Sequence, residues 1–164
     1  MSSLKNIISD LDLVLFDSVE WIKKTCPCCE GDSHLNREAW NMHHAHVDMV
    51  KLNYDFIKIF QDWVDVGVER VFFITSREDI NGMRDKTLEQ IRDFLSHVKG
   101  ADKLTYYLYM RNMYDYRPSQ TIKEETFLQK ILPYFYIDLA VDDSAKNCDV
   151  FRKYGINTWL YDKY

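Results

Sequence analysis

The chain has 164 residues, 46% of them hydrophobic and 15% aromatic, and a formal net charge of −5. That length suits one domain with a core of its own. The negative balance argues against broad, charge-driven binding along a nucleic-acid backbone but leaves room for a pocket that reads one phosphate. No apolar run approaches the roughly 20 residues of a membrane span, and the opening MSSLKNIISD lacks the apolar stretch of a secretory signal. Three of the four cysteines crowd into Cys26-Pro27-Cys28-Cys29 and the fourth is Cys148. That is a poor disulfide framework, so a reducing cytoplasm is the expectation.

Residues 5–10 read as a strand that runs directly into Asp10-Leu11-Asp12. At the carboxyl edge of a parallel sheet, where the strand ends and turns, two such carboxylates can face a crevice rather than a core. The plainer reading of the same residues is an Asx turn. Residues 18–50 fit neither a strand nor one long helix and read as a small cap-like insertion over the site. From Tyr54 the spacing turns helical, with Ile57, Phe60 and Val64 on one stripe and Gly67 as the stop. A fully apolar strand over 71–74 precedes Thr75-Ser76-Arg77. Leu88, Ile91, Leu95 and Val98 mark the next helix, closed by Gly100, and 104–110 reads as a tyrosine-rich strand. A helix from Thr121 carries Phe127 and Ile131 and ends at Pro133. Residues 137–141 form a buried strand, Asp142-Asp143-Ser144 open a helix that stops at Gly155, and 157–161 is the last strand. Strands alternating with helices predict an α/β domain over 1–164 with a mostly parallel sheet flanked by helices.

Three of these strands end in polar clusters: Asp10/Asp12, Thr75/Ser76/Arg77 and Asp142/Asp143/Ser144. In an open parallel sheet such ends lie side by side. Carboxylates from two strands can hold a hard cation such as Mg²⁺. The Thr75 hydroxyl can donate to a phosphoryl oxygen, and a lysine at the head of the Thr121 helix can offset negative charge. Each cluster is by itself also a reasonable helix cap. Their recurrence at one place in the fold favours a site.

The order apolar-DxD, apolar-Thr/Ser, lysine before a helix and apolar-DD resembles the haloacid-dehalogenase (HAD) superfamily of aspartate-nucleophile phosphatases. The run from Ile122-Lys123-Glu124-Glu125 through Asp142-Asp143 to Trp159, with Thr75-Ser76-Arg77-Glu78, is most similar to the 3′-phosphatase domains of bacteriophage polynucleotide kinase/phosphatases. The resemblance implies a Rossmann-like HAD fold and Mg²⁺ as cofactor. It implies Asp10 as nucleophile, Asp12 as acid and then base, Thr75 on the transferring phosphoryl group, and Lys123 steadying both that group and Asp10. Asp10, Asp12 (through its carbonyl), Asp142 and Asp143 would form the metal site, and Ser76, Arg77, Arg111 and Arg117 the substrate contacts. Leu13-Val14 stands where the family's DxDGT has Gly-Thr, and Ser119 where relatives often carry an aspartate. No GxxxxGK[ST] occurs, so no P-loop kinase activity is expected.

The substrate implied is a phosphate at a nucleic-acid 3′ end or on a nucleotide, with no membrane and no obligatory protein partner. The alternatives are a small-metabolite phosphatase, or a degenerate member that binds phosphate or a protein without turning substrate over. Cys26, Cys28, Cys29 and His34 have irregular spacing for zinc and read as a loop of reduced cysteines. His43, His44 and His46 read as cap or surface residues, with one of them or Trp40 facing the substrate.

Overall fold

Strands apolar at every position must be covered on both faces, and the sheet is built that way. The computed structural model describes residues 3–25 and 46–164. Five parallel strands run in the order β5-β4-β1-β6-β7. They are β1 (Asn6–Ser9), β4 (Arg70–Glu78), β5 (Thr105–Arg111), β6 (Leu139–Asp142) and β7 (Thr158–Leu160). β1 is central, paired with β4 on one side and β6 on the other.

The two-residue period divides the core. Ile7, Val71, Phe73 and Val141 face one layer, packed with Phe56, Phe60 and Phe94 from α2 (Tyr54–Asp65) and α3 (Met83–Ser96). Ile8, Phe72, Ile74 and Ala140 face the other, against Phe127, Ile131, Val150 and Phe151. That second layer comes from α4 (Ser119–Thr126), the π-helical turn Phe127–Ile131 that continues it, and α5 (Ala145–Lys153). Gly67 follows α2 at φ 97°, the left-handed stop the sequence suggested. Among the described residues no helix is long and apolar enough to cross a membrane.

β4 extends four residues past the expected end at 74, so Thr75-Ser76-Arg77 lies within the strand rather than capping a helix. Pairing with β5 sustains it: the ladder continues through Thr75↔Met110, shifts register, and closes at Glu78↔Arg111. The bulge re-aims the side chains between those two pairs.

After β1 the chain makes a tight turn. Phe16 N donates to Leu11 O (3.1 Å), Val14 N to Leu11 O (3.2 Å) and Leu13 N to Phe16 O (2.9 Å). The turn holds Leu13 at φ 61°, the conformation for which glycine is suited. β2 (Phe16–Asp17) and β3 (Lys51–Leu52) then pair antiparallel. Between them lie α1 (Val19–Thr25) and a 3₁₀ turn at Val47–Met49. These are the two roots of the expected insertion. The cysteine cluster, His34, Trp40, His43 and His44 lie outside the described residues.

The left-handed backbone at Leu13 sets a stability test. Relief of roughly 1–2 kcal/mol of strain in Leu13→Gly should offset the lost packing of this half-buried side chain and leave the urea midpoint near or above that of the native protein. Leu13→Ile, β-branched at positive φ, should lower it. A large loss in Leu13→Gly with none in Leu13→Ile would show that the turn is not strained.

Candidate active site

Register brings the site together. Ser9 pairs with Val141, and Asp10 N donates to Val141 O (2.9 Å), so Asp10, just after β1, and Asp142, the last residue of β6, emerge side by side. Ser9 also pairs with Phe73, which sets Thr75 at the same carboxyl edge. From the far side α4 delivers Lys123, 1% exposed. Its ammonium lies 3.0 Å from Asp10 Oδ1 and donates a short hydrogen bond to Asp142 Oδ2. The other Asp142 oxygen accepts from Ser144 N and Asn147 Nδ2, both at 3.0 Å.

Asp10, Asp142 and Asp143 each bring one carboxylate oxygen within 4.8 Å of the others. Burial, with the Asp142, Asp143 and Asp12 charges added, holds the Asp10 carboxyl well above the ordinary range against the pull of Lys123. Burial first and Asp142 second push Asp143 up to about 6, again against Lys123. For Lys123, burial would lower the pKa, but the Asp10 and Asp142 carboxylates outweigh it and hold the ammonium above the ordinary lysine value. The cluster is short of positive charge. An oxygen-only donor set in that condition fits a hard divalent cation, whose charge would favour the ionised form of both Asp10 and Asp143.

The remaining expected residues are placed as follows. Thr75 is buried, and its hydroxyl accepts from Arg77 N (3.2 Å). The Ser76 hydroxyl bonds that of Ser119 at the start of α4. Asp12 is not in the carboxylate triplet. It accepts from Arg77 Nε (2.9 Å) and Nη2 (2.7 Å) and from Ser18 Oγ (2.9 Å). Arg77, expected to face a substrate, is instead 1% exposed in its side chain and committed to Asp12, Thr87 and Gln90. Its guanidinium points into the interior, where Thr87 and Gln90 of α3 accept from it. Arg117 is exposed, bound to Asp115 and Glu125. Arg111 is buried and donates to the carbonyls of Ser76, Asp115 and Arg117, so it shapes the loop after β5. Asn147, Ser18, Thr87 and Gln90 were not singled out from sequence. Asn147 carried a faint signal, standing in the first turn of the helix that Asp142-Asp143 opens.

A parallel sheet with carboxylates and a lysine gathered at its carboxyl edge is the arrangement expected of a HAD-type phosphatase domain. A sequence model of the polynucleotide kinase PNKP phosphatase domain matches residues 32–163, and the chain belongs to that family. The matched span begins after Asp10 and Asp12. No curated protein matches the chain in sequence. Among solved structures, two of the Pnkp1/Rnl/Hen1 RNA repair complex are 22% identical. One has a TM-score of 0.61 over 100% of this chain and 45% of that one, the other 0.59 over 97% and 46%. The chain thus spans less than half of each matched Pnkp1-complex chain. A hydrolase from Streptococcus pneumoniae is 14% identical, TM-score 0.54, over 96% of this chain and 92% of that one. A haloacid dehalogenase-like protein from Streptococcus pneumoniae has the same identity and TM-score over 96% and 84%. At these identities the structures speak to the fold.

The lysine carries a measurable load. Lys123→Met leaves Asp10 and Asp142 buried without their cation and should cost about 3–5 kcal/mol in urea unfolding at neutral pH. Adding Asp142→Asn should recover part of it. A neutral Lys123→Met would mean that the pair is not buried as described.

Proposed function

We propose that this chain is a Mg²⁺-dependent phosphomonoesterase that removes a phosphate from a nucleic-acid 3′ end or a nucleotide through an aspartyl-phosphate on Asp10. The observation that carries the reading is the buried Lys123 ammonium 3.0 Å from Asp10 Oδ1, at the sheet edge where Asp143 also gathers. An Asp10 oxygen attacks phosphorus as the bond to the leaving oxygen breaks, and Asp12 gives that oxygen its proton. Asp12 then takes a proton from water, whose oxygen attacks phosphorus and releases inorganic phosphate and a free Asp10 carboxylate. Thr75 and Lys123 hold the phosphoryl oxygens as charge shifts onto them. A Mg²⁺ ion held by Asp10 and Asp143, with Asp142 behind them, would neutralise the transferring group. Segment 18–50 acts as a small cap within the single domain.

Membership in the PNKP phosphatase family and the RNA repair setting named for the Pnkp1 structures support a nucleic-acid end as substrate. The net charge of −5 and the commitment of Arg77 and Arg117 to carboxylates suit a grip on the last nucleotide or two rather than on a long backbone.

Asp10→Asn should abolish hydrolysis of an aryl phosphate with the fold intact, and EDTA should silence the native enzyme. Full activity in Asp10→Asn would sink the assignment. Asp143→Asn should raise the Mg²⁺ concentration needed for half-maximal rate, because the ion loses a charged oxygen. An unchanged requirement would reduce the Asp142-Asp143 pair to a helix cap.

The substrate is tested by kcat/KM on matched 3′- and 5′-phosphorylated oligonucleotides and a sugar phosphate. The 3′-phosphate should win, with only weak inhibition by salt. A faster sugar phosphate would move the enzyme to small metabolites while leaving the phosphatase chemistry in place.

A further inference from the structure

We propose that Arg77 is a positioning residue, a buried strut that fixes the Asp12 carboxylate and ties it to both roots of segment 18–50. The inference rests on the phosphatase reading above and concerns how its proton-transfer group is aimed. A guanidinium is charged at every accessible pH, so burying one is costly unless its donors are matched. Here they are. Nε and Nη2 form a two-pronged pair with Asp12 at 2.9 and 2.7 Å, and Nη1 donates to Thr87 Oγ1 (3.1 Å) and Gln90 Oε1 (2.6 Å). The flat cation lies over the rings of Phe16 (5.2 Å) and Trp21 (5.6 Å).

These partners come from different parts of the chain. Phe16 is on β2, and Trp21 is on α1, where segment 18–50 leaves the domain. Gln90, on α3, turns its amide to donate to Val47 O (3.0 Å), where the segment returns. Trp21 and Val47 pack together with Met83 and Met110 in one small cluster. Ser18, the segment's first residue, donates to Asp12 Oδ1. The Asp12 carboxylate, 22% exposed, is therefore held directly by Ser18 at one end of the segment and linked through Arg77 and Gln90 to Val47 at the other, while keeping an open side.

Asp12 needs such a grip. It follows the last residues of β1 and precedes the left-handed Leu13, so backbone pairing alone leaves its side chain free to swing. A proton donor must stand within hydrogen-bond reach of the leaving oxygen, and small misplacements cost rate steeply. Only a planar fork can set both the place and the tilt of a carboxylate. A lysine supplies the charge without the fork.

The test separates leaving groups, read through kcat/KM, which covers events up to departure of the alcohol. An alkyl phosphate, such as a 3′-phosphorylated dinucleotide, needs its leaving oxygen protonated. A nitrophenyl phosphate leaves well without a proton. Arg77→Lys should lower kcat/KM on the alkyl ester by about 100-fold and on the aryl ester by less than about tenfold, with KM little changed. The aryl ester should also show a burst of nitrophenol, because water attack on phosphorylated Asp10 still needs Asp12. Gln90→Ala, which removes one guanidinium acceptor and the tie to Val47, should act in the same selective direction by about three- to tenfold. It decides the matter if Arg77→Lys fails to fold. Equal losses on both esters, or none, would overturn the strut while leaving the phosphatase reading intact. A native enzyme that hydrolyses neither ester would overturn both.

Discussion

The ammonium of Lys123, nearly without solvent access between Asp10 and Asp142, is the contact on which the rest of the site depends. Two carboxylates at the ends of adjacent strands repel each other, and burial makes the repulsion worse. One cation set between them turns that cost into a fixed geometry. Because it reaches in from α4, it also fastens a helix of one layer to the edge of the sheet. The lysine does not satisfy the whole cluster. Asp10 and Asp143 remain well above the ordinary carboxylate range, chiefly through burial. A divalent ion would meet that residual demand for positive charge, which an anionic phosphoryl group entering the site would increase.

A second buried cation holds the other acid of the turn. Arg77 stands on β4, next but one to Thr75, yet its side chain serves Asp12 rather than the phosphoryl pocket. The two acids of the DxD turn are thus divided between two buried bases. Asp10 answers to Lys123 at the β1–β6 edge, and Asp12 answers to Arg77 beside Phe16 of β2. The separation suits two roles, one group bonding to phosphorus and the other moving protons. Directly after Asp12, Leu13 in a left-handed conformation turns the chain back toward Phe16.

Much of this was legible in the sequence because parallel strands announce themselves twice, by continuous apolar runs and by the polar residues that follow them. The runs around Ile7, Phe72 and Val141 gave the central strands, and the polar ends gave Asp10, Thr75 and Asp142. The fate of the arginines was not legible. Whether Arg77 faces out or in depends on a bulge between Thr75 and Glu78 that pairing with β5 imposes, and no local pattern marks it. The length of β4 was hidden for the same reason: Thr75-Ser76-Arg77 has the composition of a cap, and tertiary pairing overrode it. Gln90, Thr87 and Ser18 look like ordinary surface-helix or turn residues until the buried guanidinium gives them a partner.

The central claim is that Asp10 bonds covalently to phosphorus during turnover. Acid quenching of the native enzyme with a 3′-phosphorylated oligonucleotide and Mg²⁺, followed by peptide mass spectrometry, tests it directly. One added phosphoryl group on the peptide carrying Asp10, absent without Mg²⁺ and absent in Asp10→Asn, is the expected result. Sustained phosphate release with that peptide unmodified at every quench time, or a phosphoryl group found on another residue instead, would contradict it.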